Sequence, residues 1–165
     1  MEDILKRQRA TVNAHIQAEN VKDWTAVYDT FIQSDEAYYD VAPLATRFQG
    51  ISGVKDFYQV IAAAVPDFQV LVTGEYDTPG CSIREVTITG THQGEYCGVP
   101  ASGNPVCVEL AAFYLFGTGE NVDKLVAERI YFDNEILLRQ MRGEADVQTG
   151  IGLAELAQAV TSMGD

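Results

Sequence analysis

Asp40 is the carboxylate whose surroundings best suit proton transfer. It stands in an aromatic stretch of the chain formed by Tyr28, Tyr38, Tyr39 and Phe48. Aromatic neighbours would partly remove the carboxyl group from water, which raises its pKa towards the range needed to abstract a proton next to a carbonyl. The alternative is that Asp40 simply ends a strand in a turn.

Glu128 is a second candidate acid or base. It lies two residues before Ile130, so in a strand both side chains would point to the same face, which we expect to be the inner one. A buried Glu128 must be paired or protonated, and Arg129 on the opposite face could not be its partner. Tyr114 could donate to a ligand oxygen, although such a tyrosine is more often a core residue with a satisfied hydroxyl.

The charge and the cysteines exclude several classes of function. Eleven Lys and Arg against 24 Asp and Glu give a formal net charge of -13, which repels nucleic acid and anionic membrane surfaces. The three cysteines, Cys81, Cys97 and Cys107, show no C-x-x-C spacing, so neither a metal site nor a disulfide is predicted. No run is apolar enough to span a bilayer and the N-terminus is acidic, so a cytoplasmic location is expected.

Helical periodicity covers the first part of the chain. Apolar residues at helical spacing predict a helix that ends near Asn20, then a short helix after Asp23 as a possible N-cap. A third helix is predicted over 53–64, because Pro66 prevents its continuation.

Extended patterns follow over 68–75, 83–96, 106–116 and 124–132, separated by turn residues. Asp133 is predicted to cap a last helix that reaches Gln140. Three helices followed by an antiparallel meander predict an α+β fold with the helices packed on one face of a bent sheet. We expect one domain over 1–142 and a C-terminal extension over 143–165 with a short helix.

The segment 106–116 is nearly apolar on both faces, although an antiparallel sheet with one wet face should alternate. Something is therefore expected to cover the outer face. A second copy of the chain is the first choice, because C2 homodimers are the commonest closed assembly.

The segment from Thr89 to Gly103, with its Gly-Thr-His and Gly-Val-Pro elements, and the ending Asp133 to Gln140 resemble the SnoaL-like polyketide cyclase family. The resemblance implies a cone-shaped α+β fold on the nuclear transport factor two scaffold, an apolar cavity, and acid–base ring closure without a metal or organic cofactor. His92 is the most family-like residue, and either lines the pocket or holds the bend of a long strand.

The sequence departs from the family where its chemistry would lie. The resemblance places the cyclase Asp at Ile130 and the cyclase His near Ala112, and neither residue can move a proton. The fold is therefore expected to carry over more safely than the activity.

A weaker resemblance, to the ketosteroid isomerases of the same scaffold, offers other candidates. It places the carboxylate base at Asp40, the donor to the enolate oxygen at His15 and its supporting tyrosine at Tyr58. Such a trio suits enolate chemistry, because a carboxylate abstracts the proton while donors face the developing oxyanion. For His15 the alternative is a surface or core role.

The sequence therefore predicts cofactor-free acid–base chemistry on a small, largely apolar carbonyl compound such as a polyketide-derived ring, with Glu128 in reserve. The expected pocket residues are Tyr28, Tyr39, His92, Ala112, Tyr114 and Ile130. A binding module that has lost the chemistry, and a hydrolase or dehydratase on the same scaffold, remain open.

Overall fold

The computed structural model describes residues 2–147 and contains helices and strands in a mixed order. The helices are α1 (Glu2–Val21), α2 (Trp24–Asp29), α3 (Gly50–Ala64) and α4 (Asn134–Met141). The strands are β1 (Tyr38–Val41), β2 (Thr46–Gln49), β3 (Gln69–Thr78), β4 (Cys81–Thr91), β5 (Pro105–Phe116) and β6 (Leu125–Phe132). The short helix predicted in the C-terminal extension lies outside the described residues.

The strands form one sheet in the order β2-β1-β6-β5-β4-β3. All neighbours are antiparallel except β1 and β6, which pair in parallel. The pairing shifts register between Val72 and Gly74 and between Leu115 and Phe116, and such irregularities bend a sheet. The result is the predicted α+β fold, with helices on one face of a curled, open sheet.

The helix α1 carries polar groups into the interior because of its spacing. Its buried residues recur every three or four positions, which places them on one face of the helix: Gln8, Val12, His15, Ile16, Ala18 and Glu19. His15 and Glu19 are four residues apart on that buried face and are therefore neighbours.

The helix α3 packs closely on the strand that precedes it. A Cβ atom on Gly53 would lie 2.6 Å from the backbone carbon of Phe48, so only glycine allows this approach. Val54, Phe57 and Tyr58 follow on the buried side, and the helix ends at Ala64, before Pro66 as predicted. Tyr58 is thereby fixed in the interior.

Two predicted features of the sheet were wrong. The sheet is not wholly antiparallel, because β1 and β6 pair in parallel, and the second predicted strand does not extend through Tyr96, because β4 ends at Thr91. The chain leaves the ladder after His92, where the backbone N–H groups of Gln93 and Gly94 donate to the carbonyl of Ala64. No helix within residues 2–147 combines the length and the apolar character needed to cross a membrane.

Candidate active site

An apolar cavity of about 100 Å³ lies between the helices and the concave face of the sheet. Strand alternation sends one side of each central strand into it. The sheet contributes Val86, Ile88, Val106, Val108, Leu110, Ala112 and Ile130, and the helices contribute Phe57, Ile61, Leu137 and Met141. Nearly all of these side chains carry no polar atom, so a ligand here would be held mainly by apolar contact.

Polar groups converge at one end of this cavity. Glu19 reaches it from α1, Tyr58 from α3 and Glu128 from β6. Glu19 and Glu128 are only 6% and 3% exposed, and His15 behind them is 0% exposed. Burying two carboxyl groups costs free energy unless each is paired or protonated, so this arrangement requires an explanation.

The Tyr58 hydroxyl is the centre of the polar group. Its oxygen lies 2.9 Å from Glu19 Oε1, 3.1 Å from Glu128 Oε2 and 2.9 Å from His15 Nε2. The same imidazole nitrogen lies 3.3 Å from Glu128 Oε2 and 3.5 Å from Glu19 Oε1. Four side chains from three elements therefore share one hydrogen-bonding network, here called the Tyr58 cluster (His15, Glu19, Tyr58 and Glu128).

The protonation of His15 Nδ1 follows from its neighbour Thr30. The Thr30 hydroxyl donates its single proton to the carbonyl of Val27 at 2.6 Å. Its oxygen lies 2.8 Å from His15 Nδ1 and can only accept there, so Nδ1 carries a hydrogen. This contact directs Nε2 towards Tyr58 and the two carboxyl groups.

The same counting assigns a proton to one carboxyl group of the cluster. Tyr58 has one hydroxyl proton and cannot donate to Glu19 and Glu128 together. When it donates to one of them, the other must donate to the Tyr58 oxygen, because two unprotonated oxygens at these distances would repel. Glu19 and Glu128 therefore share a proton, as two close buried carboxyl groups do when both cannot ionise.

Electrostatics agree with this assignment. Burial alone would lower the pKa of His15, but the charges and hydrogen bonds of Glu19 and Glu128 outweigh it and raise the pKa to about 10. Burial raises the pKa of Glu128, against the opposing effect of His15. Burial, followed by the charge of Glu128, also raises the pKa of Tyr39, Tyr58 and Tyr114 well above its usual value. Burial thus favours the neutral form of Glu128, whereas the neighbouring carboxyl groups favour the charged form of His15.

The cluster also contains the groups that could ligate a metal ion. One atom each from His15, Glu19 and Glu128 lie within 4.8 Å of one another. Any cation bound among them would have to replace the hydrogen bonds that the Tyr58 hydroxyl already makes to all three.

Several predicted site residues meet at the cavity. Tyr39, Tyr58, Ala112, Tyr114, Glu128 and Ile130 line it. His15 does not line it but contacts Tyr58 and both carboxyl groups from behind. Glu128 is buried and bonded as expected.

Asp40 does not reach the cavity, and its prediction as the base was wrong. Strand alternation turns Tyr39 inward and Asp40 to the outer face of the sheet. There Arg47 donates two hydrogen bonds to its carboxylate at 2.7 and 2.8 Å, and Arg129 Nε lies 3.2 Å away. The carboxylate is neutralised by two guanidinium groups rather than desolvated by aromatic rings.

Tyr28 and His92 were also wrongly placed in the pocket. Tyr28 is half-buried behind Tyr58, at a ring distance of 6.1 Å. His92 is 0% exposed, and its Nδ1 lies 3.0 Å from Ser102 Oγ, so it holds the turn after β4. This is the structural alternative considered for His92 from the sequence.

Glu19 is the one member of the Tyr58 cluster that was not predicted from the sequence. The available signal was its position four residues after His15, on the same face of a predicted helix. Glutamates near the end of a helix are usually solvated, which made this one easy to overlook.

A curled sheet that encloses an apolar cavity with a buried acid–base cluster is typical of small-molecule enzymes and binding proteins on the nuclear transport factor two scaffold. The sequence model of the SnoaL-like polyketide cyclases matches residues 9–141. The chain belongs to this family. No curated protein matches it by sequence.

Solved structures agree in fold. AclR, a candidate hydroxylase from Streptomyces galilaeus, is similar with a TM-score of 0.68 at 21% identity, over 97% of this chain and 96% of that one. A candidate SnoaL-like polyketide cyclase from Jannaschia sp. CCS1 has a TM-score of 0.74 at 18% identity, over 87% and 95%. A Catenulispora acidiphila protein with a ketosteroid isomerase-like fold, in complex with trimethylamine, has a TM-score of 0.65 at 16% identity, over 80% and 92%. At these identities the likeness concerns the fold.

Proposed function

We propose that this protein catalyses proton transfer next to the carbonyl group of a small apolar compound, with Glu19 and Glu128 as the acid–base pair. One observation carries the proposal: two buried carboxyl groups both lie within hydrogen-bonding distance of the Tyr58 hydroxyl at the end of an apolar cavity, an arrangement in which we infer that they share one proton. A catalytic acid and base need different protonation states at one pH, and this pair supplies both.

In the proposed reaction, the ligand carbonyl enters with its oxygen towards the Tyr58 cluster. The ionised carboxylate takes the proton from the adjacent carbon, and the electron pair of that C–H bond forms the C=C bond of an enolate. The protonated carboxyl group or the Tyr58 hydroxyl donates a hydrogen bond to the oxygen, where negative charge develops. Return of the proton to another carbon completes an isomerisation. In a cyclisation, the enolate carbon attacks a second carbonyl, the C=O π bond breaks, and its oxygen takes a proton from the protonated carboxyl group.

His15 acts through the carboxyl groups in this scheme. Its imidazolium lies 3.3 and 3.5 Å from them and stabilises the one that is ionised. Convergent, desolvated carboxyl and imidazole groups favour an enzyme over a module that only binds, because burial of such groups costs stability that apolar residues would not cost.

A dehydratase or hydrolase is a second candidate, favoured by the fact that Glu19 and Glu128 both line one cavity. In a dehydration, the protonated carboxyl group would donate its proton to the departing hydroxyl while the carboxylate removes a proton from the neighbouring carbon. Conversion of 3-hydroxycyclohexanone to 2-cyclohexenone, followed by ultraviolet absorbance, would separate this reaction from enolisation alone.

Hydrogen exchange tests the enolisation without knowledge of the natural substrate. We expect the protein to accelerate deuterium uptake by 2-cyclohexenone in D2O, measured by NMR against buffer alone. Glu128→Gln and Glu19→Gln should each reduce the protein-dependent rate by about 10² to 10⁴, the usual contribution of a general acid or base.

Glu109→Gln is the matched control, since Glu109 is an exposed glutamate of β5. It should retain the wild-type rate. Circular dichroism must show that all three variants are folded. A wild-type exchange rate equal to that of buffer, or full activity in folded Glu128→Gln and Glu19→Gln, would exclude the proposed acid–base pair.

A further inference from the structure

The size of the cavity limits its ligand to about one ring. The volume is about 100 Å³. A buried apolar cavity of about 150 Å³ binds benzene, and sites for larger organic ligands enclose about 300 to 1,000 Å³. A single ring therefore already fills this cavity and requires a small outward shift of its walls. The fused rings of a polycyclic polyketide would therefore require the helices and the sheet to separate.

The distribution of polar atoms along the cavity limits the ligand to one polar end. Ala112 and Ile130 line the middle of the sheet side, and both are apolar. The resemblance to the cyclases placed that family's His and Asp at these positions, so a mid-cavity polar contact is missing in this chain. At the far end, the Tyr96 hydroxyl is already bonded to Asn134 at 3.1 Å. A second ligand oxygen in the middle would lose its hydrogen bonds to water without replacement.

The charge of the cavity limits the ligand to an uncharged molecule. Within residues 2–147, no lysine or arginine lines it. The buried guanidinium of Arg84 lies on β4, next to the strand that carries Tyr114; it is bonded to Asp77 at 2.9 Å and does not line the cavity. A ligand carboxylate would add a buried negative charge next to Glu19 and Glu128, and a ligand ammonium would add a positive charge next to the His15 imidazolium.

The walls offer aromatic as well as aliphatic surface. Tyr39 and Phe57 line the cavity and stack on each other, with centroids 3.6 Å apart and an interplanar angle of 16°. Apart from Tyr114, the lining residues of β4 and β5 are aliphatic, and Ala112 is the smallest of them. An apolar ring can contact both kinds of side chain.

We infer that the cavity binds an uncharged, single-ring ketone or enone whose one oxygen faces the Tyr58 cluster. Of the reactions considered above, only the isomerisation has a substrate with one oxygen. The direction of the ligand oxygen in this inference rests on the proposed function. The size and the charge of the ligand can be tested by binding measurements alone.

The single tryptophan of the chain reports on occupancy. The ring of Trp24 lies 5.7 Å from that of Tyr58 and 6.2 Å from that of Phe68, and both of these residues line the cavity. Titration followed by its fluorescence, with calorimetry as a second measurement, should use 2-cyclohexenone as the reference ligand. We expect 1-tetralone, benzoate and benzylamine to bind about tenfold to hundredfold more weakly, for reasons of size, negative charge and positive charge respectively.

Two substitutions in the wall change the cavity without touching the Tyr58 cluster. Ala112→Leu should fill the cavity and abolish binding of 2-cyclohexenone, whereas Val108→Ala should enlarge it and bring the affinity for 1-tetralone to within about threefold of that for 2-cyclohexenone. Ala111→Leu is the matched control, because the neighbouring side chain of β5 points away from the cavity. It should bind like the wild type.

The outcomes separate the substrate class from the reaction. Selective binding of 2-cyclohexenone without catalysed exchange supports the ligand class and defeats the proposed function. Catalysed exchange with equal or better binding of 1-tetralone, benzoate or benzylamine supports the function and overturns the ligand class. Unchanged binding in folded Ala112→Leu would also overturn it, because the ligand would then lie elsewhere.

Discussion

Within the Tyr58 cluster, the Tyr58 hydroxyl has one proton and three hydrogen-bonding neighbours. Tyr58 can satisfy Glu19 and Glu128 only if one of them is protonated, and it contacts His15 at the same time. The folded state consequently holds more protons at neutral and alkaline pH than the unfolded chain, in which His15 titrates near its ordinary pKa of 6.5. Folding and protonation of this cluster are therefore linked.

Removal of His15 should flatten the alkaline pH dependence of stability. Because the pKa of His15 is raised from 6.5 to about 10, its contribution is complete below pH 6.5 and is lost as the pH rises through about 10. Each pKa unit of this shift corresponds to about 1.4 kcal/mol. We expect the free energy of unfolding to fall by a few kcal/mol between these pH values in the wild type, and less in His15→Gln.

Urea denaturation at several pH values measures this difference. Removal of His15 also removes the effect that lowers the pKa of Glu128, so the comparison reports the linked titration of His15 and Glu128. Parallel stability curves for the two proteins would show that His15 is not charged in the folded state.

At the residue level, the sequence identified three of the four side chains that form the Tyr58 cluster. His15, Tyr58 and Glu128 were identified, and they meet. Asp40 was wrong because its neighbours along the chain are aromatic, while its neighbours in space are Arg47 and Arg129, which pairing between strands decides. No local pattern reveals such contacts.

At the level of elements, α4 closes part of the cavity and depends on its first turn. The Asp133 side chain accepts a hydrogen bond from the backbone N–H of Ile136, as predicted from the sequence. Leu137 and Met141 of the same helix line the cavity. By stabilising the first turn of α4, the Asp133 cap therefore also stabilises the part of the cavity that this helix lines.

Replacement of Asp133 should lower the free energy of unfolding by an amount that depends on whether the new side chain can accept a hydrogen bond. Asp133→Ala leaves the N–H of Ile136 without its partner and is expected to lower the free energy of unfolding by about 1 kcal/mol. Asp133→Asn keeps an acceptor and should lose much less. Chemical denaturation of both variants measures the difference, and equal losses would mean that charge, not capping, is what Asp133 contributes.

The helices and the long strands were predictable from the sequence, and the shortest strands were not. Apolar periodicity predicts the helices α1, α3 and α4 and the strand β5, and the N-cap Asp23 helps to predict α2. The strands β1 and β2 have four residues each, too few for a pattern to emerge. The parallel pairing of β1 with β6 joins distant parts of the chain, and the direction of Asp40 follows from it.

For the whole molecule, the main surface feature is a group of apolar side chains on the outer face of the sheet. The apolar side chains there include Ile83, Phe113 and Tyr131, and the last two rings lie 5.5 Å apart. Leu71, Tyr76 and Tyr131 are 65%, 55% and 43% exposed. An apolar surface of this kind in a soluble domain commonly marks an interface. Our proposal remains that a second copy of the chain covers it.

Charge sets how such a dimer should respond to salt. Each copy carries a formal net charge of -13, so two copies repel each other while their apolar faces attract. Salt shortens the reach of this repulsion from about 30 Å at 0.01 M to about 10 Å at 0.1 M. We therefore expect the dimer to dissociate at low ionic strength and to form at moderate ionic strength, in contrast to an interface held by ion pairs.

Sedimentation equilibrium of three proteins decides whether this face is the interface. Tyr131→Glu places a charge in the apolar face and should give the monomer mass at 0.1 M salt. Val60→Glu is the matched control, because Val60 is a comparably exposed apolar residue, 48%, on α3. It adds the same charge and should remain dimeric like the wild type. A wild-type monomer at 0.1 M salt would show that the outer face is not a dimer interface. Equal weakening of the dimer by both substitutions would show the same, because the added charge would then act only through general repulsion.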